Sequence, residues 1–293
     1  MQKIGIIGIN FGKWYIKNIN LLKDKAQVVS VCARNQSSYD NLKEKPNNEH
    51  IFYNNAFDLI NSDVDVVICA VNPNIQKGLA VYALDCNKNL ILEKPLAIMY
   101  EDSLEIQKAA ERTKKNVIVN FPDAYQPQYR KCKEFARFNG VSKFIKIEHG
   151  GDGPIRKDYS PLFDWLSHSA YLALDYNNGE MPFEYKIMSV ATESMMRNNY
   201  SIILKFGNNK IWILGGNAYF DQKVRRFCVY DKIEGVCTYE QFKTEHREQQ
   251  YTTNPMLNML TEYIDKLEKK EYFTNLPSAV RTTELLERLE REL

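Results

Sequence analysis

An alternation of short apolar runs and helical patterns over residues 1–121 is the feature that most constrains the fold. The strand-like runs cover residues 3–8, 27–32, 50–53, 65–71, 89–93 and 116–120. Between them, apolar residues at helical spacing predict helices near 12–23, 74–86 and 101–114. Strands that alternate with helices indicate βαβ units under a parallel sheet. We therefore predict an α/β domain with a doubly wound parallel sheet of the Rossmann type.

After Pro122 the pattern changes from alternating elements to successive strands. Strand-like runs separated by turn residues cover 143–148, 186–193, 200–206, 210–214, 225–231 and 235–239. This succession predicts an open, mostly antiparallel sheet. Helices are predicted near 162–176, 255–270 and 278–292. Because 293 residues exceed the usual size of one core, we predict a Rossmann domain at 1–121 and an α+β domain for substrate binding and oligomerisation at 122–293.

Composition excludes several classes of protein. A formal charge of +2, with acidic and basic residues interleaved, leaves no basic stripe for nucleic acid. No apolar run approaches the length of a membrane span. Six cysteines without CxxC spacing and a strand beginning within three residues of the start predict a cytoplasmic protein with free thiols. The four histidines are not at metal-ligand spacing, so no metal is predicted.

A glycine loop follows the first predicted strand and opens a helix. At such a turn, backbone N–H groups and the helix dipole hold phosphates, which makes Gly8, Asn10, Phe11 and Gly12 candidate cofactor-binding residues. The loop departs from GxGxxG, because Asn10 occupies the middle glycine position and the spacing from Gly8 to Gly12 is one residue short. The alternative is a plain βα turn without ligand.

The second strand ends in basic and polar residues where an NAD-preferring fold carries Asp or Glu. Arg34 suits a ribose 2′-phosphate through charge-assisted hydrogen bonds, and Asn35 and Ser37 add polar groups. The sequence therefore favours NADP(H) over NAD(H), which stays possible. The alternative is a solvated loop arginine.

The fourth strand ends in Ala70, Val71 and Asn72, followed by Asn74 as the predicted N-cap of the next helix. We interpret all four as cofactor-lining candidates, against the alternative of ordinary turn chemistry.

Glu93-Lys94-Pro95 directly follows the apolar run 90–92. In an open parallel sheet, ligands bind beyond the carboxyl ends of the strands. Glu93 and Lys94 are therefore expected at the crevice, where Pro95 ends the strand.

At this point the chain resembles the Gfo/Idh/MocA oxidoreductases. The resemblance rests on the glycine loop, on the stretch 80–97 with Glu93-Lys94-Pro95, and on Asp164-Trp165-Leu166-Ser167-His168. It implies that Lys94 lies near the nicotinamide and the reacting hydroxyl, and that His168 is the general acid/base. Both roles are chemically sound, because imidazole titrates near neutrality and an ammonium group stabilises a developing alkoxide.

Substrate-binding candidates come from two segments. If 162–176 is one helix, Asp164 lies on the same face as His168, and Tyr125 and Asn120 belong to the predicted crossover between domains. Tyr171 stands where the family often has an aspartate three residues after the histidine, so either the substrate differs or the proton relay is rebuilt. Gln76 replaces a frequent histidine of the family.

Together these features predict an NADP(H)-dependent oxidoreductase that transfers a hydride to or from a hydroxyl or keto carbon of a sugar or nucleotide-sugar-like substrate. Two alternatives stay open: a redox-neutral epimerase or lyase with tightly held nicotinamide, and a non-catalytic dinucleotide-binding regulator. An apolar sheet face in the second domain favours a homo-dimer or homo-tetramer.

Overall fold

The computed structural model describes residues 1–135, 143–152, 155–194, 197–218, 223–231, 235–242 and 254–293. The chain forms two compact units. The first comprises Met1–Pro122 and Asn254–Val280, and the second comprises Asp123–Thr253 and Arg281–Leu293. The predicted boundary after residue 121 lies beside the observed one, but residues 254–280 return to the first unit instead of staying in the second.

A six-stranded parallel sheet forms the core of the first unit. Its strands are β1 (Gln2–Ile7), β2 (Ala26–Cys32), β3 (Ile51–Tyr53), β4 (Val66–Cys69), β5 (Asn89–Leu92) and β6 (Val117–Val119). The sheet order is β3-β2-β1-β4-β5-β6, so the strand order reverses between β1 and β4. This switch point is where open α/β sheets bind their ligands. The predicted doubly wound sheet is confirmed.

Helices cover both faces of this sheet, as the βαβ pattern requires. They are α1 (Gly12–Ile19), α2 (Gln36–Asp40), α3 (Ala56–Asn61), α4 (Pro73–Asp85) and α5 (Tyr100–Thr113). The short helices α2 and α3 were not predicted, because five or six residues carry too little helical periodicity.

The segment 254–280 returns to the first unit because it satisfies the edge of the sheet. The helix α9 (Pro255–Glu268) places Tyr263, whose hydroxyl donates to the carbonyls of Leu90 (3.1 Å) and Asn116 (2.8 Å). The Asn275 side chain accepts from the N–H of Val119 (2.7 Å) and donates to its carbonyl (2.9 Å). These contacts satisfy backbone groups at the β6 edge of the sheet, which would otherwise be open to association.

The second unit is built on a mixed, mostly antiparallel sheet. Its strands are β7 (Lys143–Gly150), β8 (Glu184–Ser194), β9 (Arg197–Phe206), β10 (Asn209–Gly216), β11 (Val224–Asp231) and β12 (Gly235–Phe242). The order is β12-β11-β7-β10-β9-β8, and every neighbouring pair is antiparallel except β7 with β10. The predicted α+β class is confirmed, with one parallel pair added.

Four helices complete this part of the chain. They are α6 (Pro127–Glu134), α7 (Pro161–Asp164), α8 (Leu166–Tyr176) and α10 (Leu276–Glu290), the last of which begins in the first unit. The helical stretch predicted near 162–176 is present as two successive helices, which are divided at Trp165. Helix α8 packs on β7 and β10 and is buried on nearly all sides. None of the described helices is long and apolar enough to cross a membrane.

Candidate active site

A cavity of about 490 Å³ lies at the switch point of the parallel sheet, beyond the carboxyl ends of β1, β2 and β4. Its volume is within the range of small-molecule and cofactor sites. Predicted cofactor residues on its wall are Gly8, Asn10, Arg34, Asn35, Ala70, Val71 and Asn72. Residues from three separate strand ends therefore meet around one cavity, as the sequence predicts for a dinucleotide site.

The turn after β1 requires glycine. Gly8 has a φ of +89°, and a Cβ atom there would lie 2.2 Å from the carbonyl oxygen of Ala70. The backbone of β1 can approach the end of β4 this closely only without a side chain. Helix α1 starts at Gly12, so its first N–H groups follow the cavity wall directly. Phe11 and Gly12 lie at the helix start and not among the lining residues.

The end of β2 presents exposed polar groups to the cavity. Arg34 and Asn35 line it, and the serine on its wall is Ser38, one residue after the predicted Ser37. No ion pair engages Arg34 among the described residues. A guanidinium group at this point, without a carboxylate, has the chemistry to receive a 2′-phosphate.

Asn72 is the N-cap of α4, and the prediction that Asn74 fills this position is wrong. The Asn72 side chain accepts from the backbone N–H of Asn74 (2.9 Å), and Pro73 occupies the first helical position. Because the cap lies two residues earlier, Asn74 is inside the helix and absent from the cavity wall. Asn54 lines the cavity from the turn after β3, where the sequence carried no motif to predict it.

Glu93 is buried at the end of β5, with its carboxylate held by three donors. Its Oε1 accepts from the Tyr15 hydroxyl (2.6 Å) and from Asn120 Nδ2 (2.7 Å), and its Oε2 accepts from the N–H of Lys94 (3.3 Å). Burial raises the pKa of Glu93 to about 7, although these hydrogen bonds oppose the shift. The same burial raises the pKa of Tyr15 well above its usual value. Asn120, predicted to bind substrate, uses its amide here to hold Glu93.

Gln76 shapes the turn that carries Lys94. Its fully buried amide donates to the carbonyls of Glu93 (2.8 Å) and Leu96 (2.9 Å) and accepts from the N–H of Glu93 (3.0 Å). The Lys94-Pro95 peptide within this turn is cis. Lys94 follows β5 directly, as predicted, and neither Lys94 nor Glu93 is on the wall of the 490 Å³ cavity. Gln76 thus holds the backbone of the turn after β5, at a position where the family often has a histidine.

In the second unit, His168 lies on α8 beside a carboxylate that sequence reasoning did not single out. His168 Nδ1 is 3.6 Å from Oδ2 of Asp123, and both side chains are buried. Arg225 Nη1 donates to the same Asp123 oxygen (2.7 Å), and the Tyr239 hydroxyl donates to Oδ1 (2.9 Å). Asp123 comes from the turn Pro122–Tyr125, shortly after β6. Its position after a strand end is the feature of the sequence that could have indicated it.

The other predicted substrate residues of this unit lie on separate elements. Asp164 ends α7, ahead of the break at Trp165, and its Oδ2 accepts from Arg156 Nε (3.2 Å). Tyr171 is buried in α8, and Tyr125 is buried in the turn after β6 with the Arg130 guanidinium 5.7 Å from its ring centre. Asp164 and His168 therefore lie on successive helices and not on the one helix from which a shared face was expected. The substrate roles of Asp164, Tyr171 and Tyr125 stay predictions.

In the part of the chain that the structure describes, no group of three or more His, Cys, Asp or Glu side chains is arranged to hold a metal ion. His246 lies outside the described residues.

These features define a Rossmann domain with a cofactor-sized cavity and a lysine at a neighbouring strand end. Residues 2–121 match the Gfo/Idh/MocA family, described as an oxidoreductase family with an NAD-binding Rossmann fold. The predicted resemblance to the Gfo/Idh/MocA oxidoreductases is confirmed for residues 2–121.

The curated relatives include inositol dehydrogenases. The inositol 2-dehydrogenase of Salmonella typhimurium is 30% identical over 155 residues, which cover 50% of this chain and 45% of the relative. The inositol 2-dehydrogenase/D-chiro-inositol 3-dehydrogenase of Lactiplantibacillus plantarum is 25% identical over 151 residues, covering 50% and 43%. The chain thus matches about half the length of these relatives.

A solved structure shares the fold over the whole chain. The myo-inositol dehydrogenase of Lactobacillus casei, in complex with NAD(H) and myo-inositol, has a TM-score of 0.82 at 17% identity. The match covers 100% of this chain and 94% of that protein. At this identity the likeness shows the fold alone.

Proposed function

We propose that this protein is a nicotinamide-dependent dehydrogenase that moves a hydride to or from a CH–OH carbon of a cyclitol or a related sugar. The observation that carries the proposal is Lys94, placed directly after β5 in a Rossmann domain whose curated relatives include inositol dehydrogenases. A cyclitol fits better than a nucleotide-linked sugar, because the substrates in the names of these two relatives are inositols.

The residues present fit a dinucleotide. The side-chain-free turn at Gly8, the N-terminus of α1 and the polar wall at Arg34 suit a pyrophosphate and a ribose. When bound, the nicotinamide supplies the hydride acceptor or donor. Gly8, Asn10 and Asn72 would hold it along the switch point.

The remaining chemistry belongs to side chains of this chain. Oxidation of an alcohol breaks a C–H bond with its electron pair and releases the hydroxyl proton. His168 takes that proton in the oxidation direction and returns it in the reduction direction. The Lys94 ammonium stabilises the negative charge that develops on the oxygen.

Turnover by purified protein tests this function. Inositol stereoisomers and common aldoses are offered with NADP⁺ or NAD⁺, and reduced nicotinamide is followed by its absorbance. Lys94→Ala should lower kcat by a factor on the order of 10² or more. Lys77→Ala is the matched control, because Lys77 pairs with Asp102 (2.7 Å) on the surface between α4 and α5. Equal turnover in Lys94→Ala and wild type would refute the proposed role.

The same assay separates the two alternatives. A redox-neutral enzyme would exchange the substrate's C–H hydrogen without net formation of reduced cofactor, and its nicotinamide would copurify. A dinucleotide-binding regulator would bind cofactor but show no turnover with any cyclitol or sugar, and Lys94→Ala would leave its binding intact.

For the cofactor, NADP(H) is favoured because Arg34 lines the cavity where an acidic residue would select NAD(H). Arg34→Ala should weaken NADP⁺ binding by about tenfold or more while NAD⁺ binding changes little. Ser38→Ala and Ser37→Ala form a matched pair, since only Ser38 is on the cavity wall. If Arg34→Ala left the affinities for both cofactors unchanged, the preference for NADP(H) would be wrong.

The proposal includes a homo-dimer or homo-tetramer in the cytoplasm. Support for association comes from exposed apolar side chains that share one face of the second sheet: Phe144, Met188, Ile203, Tyr230 and Val236. Light scattering of the purified protein tests the assembly, and a monomer at micromolar concentration would contradict it. The six free cysteines fit a reducing compartment, which cell fractionation tests.

A further inference from the structure

Asp123 is the centre of a buried charge cluster in the second unit. Only 2% of its surface is exposed, yet both carboxylate oxygens are engaged by donors, Oδ2 by Arg225 and Oδ1 by Tyr239. A buried carboxylate is costly unless it is paired and hydrogen-bonded. The arrangement therefore holds the carboxylate in one orientation.

That orientation directs Oδ2 at His168. The distance from Oδ2 to Nδ1 is 3.6 Å, and hydrogen bonds of catalytic groups are often this long before substrate binds. An acceptor beside Nδ1 favours the tautomer in which Nδ1 carries the proton. Nε2 is then the ring nitrogen that accepts a proton, as a general base must.

The same arginine fixes a second histidine. Arg225 Nε donates to Nε2 of His149 (3.1 Å), so the proton of that ring is on Nδ1 and the ring is uncharged. The His149 ring lies 4.8 Å from the His168 ring, centre to centre. Arg225 thus pairs with the carboxylate beside His168 and disfavours protonation of the neighbouring His149 ring.

We propose that Asp123 is the positioning carboxylate of His168 and that Arg225 holds Asp123 in place. The inference rests on the proposed function, because it takes His168 as the general acid/base. Tyr171 has no carboxylate to offer His168. The acidic partner comes instead from the turn after β6, 45 residues earlier in the sequence than His168.

Two substitutions should move the His168 titration in opposite directions. The groups placed around this ring are Asp123 from the turn after β6 (3.6 Å), His149 from β7 (4.8 Å between ring centres) and Arg225 from β11, which bonds to both. Asp164 and Tyr171 lie near His168 in sequence, on α7 and α8. Asp123→Asn removes the carboxylate beside Nδ1 and should lower the pKa of His168 by about one unit or more. Arg225→Gln leaves the Asp123 charge without its arginine and should raise that pKa.

The experiment follows the ring nitrogens by NMR in protein with isotope-labelled histidine. Only four histidines are present, so His168→Gln assigns the signal. In parallel, the pH dependence of kcat/KM is measured for oxidation. In Asp123→Asn its acidic limb should move to lower pH with the His168 titration, and the plateau should fall by about tenfold.

Asp175→Asn is the control, since Asp175 accepts from the Tyr129 hydroxyl (2.8 Å) and pairs with Lys133 (2.8 Å) away from His168. It should leave both readouts unchanged. A His168 titration that is the same in wild type, Asp123→Asn and Arg225→Gln overturns the inference whatever the activity. A titration that shifts as expected, with a turnover profile that does not move, supports the positioning pair and refutes His168 as the acid/base of the proposed function.

Discussion

Glu93→Gln should be more stable than wild type, and this difference in the free energy of unfolding should be larger at alkaline than at acidic pH. The folded-state pKa of Glu93 is about 7 against an ordinary value of 4.5, because burial disfavours the charged form. A pKa raised on folding contributes stability that is fully present below pH 4.5 and is lost as the pH rises through 7. The difference of about 2.5 units corresponds to about 3 kcal/mol, at 1.36 kcal/mol per unit.

Glutamine suits this test because it reproduces the uncharged state. Its carbonyl oxygen can accept from both Tyr15 and Asn120, which are the two short bonds of Glu93 Oε1. The variant has no ionisation to oppose folding, so its advantage over wild type should grow by up to about 3 kcal/mol between pH 5 and pH 8. Urea unfolding at the two pH values, followed by fluorescence, measures the difference.

Glu148→Gln is a control of opposite sign. Burial would raise the pKa of Glu148, but hydrogen bonds from Lys146 and Arg226 outweigh it, so the pKa is lowered. A lowered pKa contributes stability above the unfolded value and loses it as the pH falls, so Glu148→Gln should lose stability mainly at neutral pH. If the gap between Glu93→Gln and wild type were the same at pH 5 and pH 8, the assignment of a neutral Glu93 below pH 7 would be refuted.

Two further predictions concern backbone strain and thiols. Gly8→Ala places a Cβ 2.2 Å from the Ala70 carbonyl oxygen at a φ of +89°. This variant should lose about 1–3 kcal/mol of stability in thermal unfolding and bind cofactor more weakly. Gly78→Ala has no atom within 4 Å of its new Cβ and should gain up to about 1 kcal/mol. The sulfurs of Cys132 and Cys237 are 3.0 Å apart, so oxidation with diamide should remove two of the six thiols titrated after denaturation, and Cys237→Ser should abolish that loss. Equal stability of the two alanine variants, or retention of all six thiols, would contradict these expectations.

Local patterns predicted the parallel sheet and the part of the site that lies at its strand ends. A buried parallel strand reads as a continuous apolar run, and the residues that follow it reach the crevice whatever the rest of the chain does. This is why Gly8, Arg34, Asn72 and Lys94 could be placed at strand ends without knowledge of any contact.

The contacts that depend on distant segments could not be predicted. Asp123 and Arg225 are 102 residues apart in sequence, and Asn275 pairs with β6 across 156 residues. Periodicity within a short window carries no information about such pairs. The cap at Asn72 was missed for a different reason, since Asn72 and Asn74 have the same side chain and only the position of Pro73 distinguishes them.

Asp123, like Lys94, follows the end of a strand of the parallel sheet. Its position bears on the absence of a carboxylate at position 171. Lys94 comes directly after β5, and Asp123 comes four residues after the last residue of β6, which is the next strand along the sheet. A helix position three residues after a histidine is a local way to supply a carboxylate to a base, whereas a strand-end turn supplies one from a different element. Because Arg225 offsets the charge of Asp123 within the second unit, the acidic residue can be buried beside His168 without a neighbour on α8. In the proposed mechanism the proton-transfer group and its carboxylate then come from different elements, and this arrangement is compatible with a tyrosine at position 171.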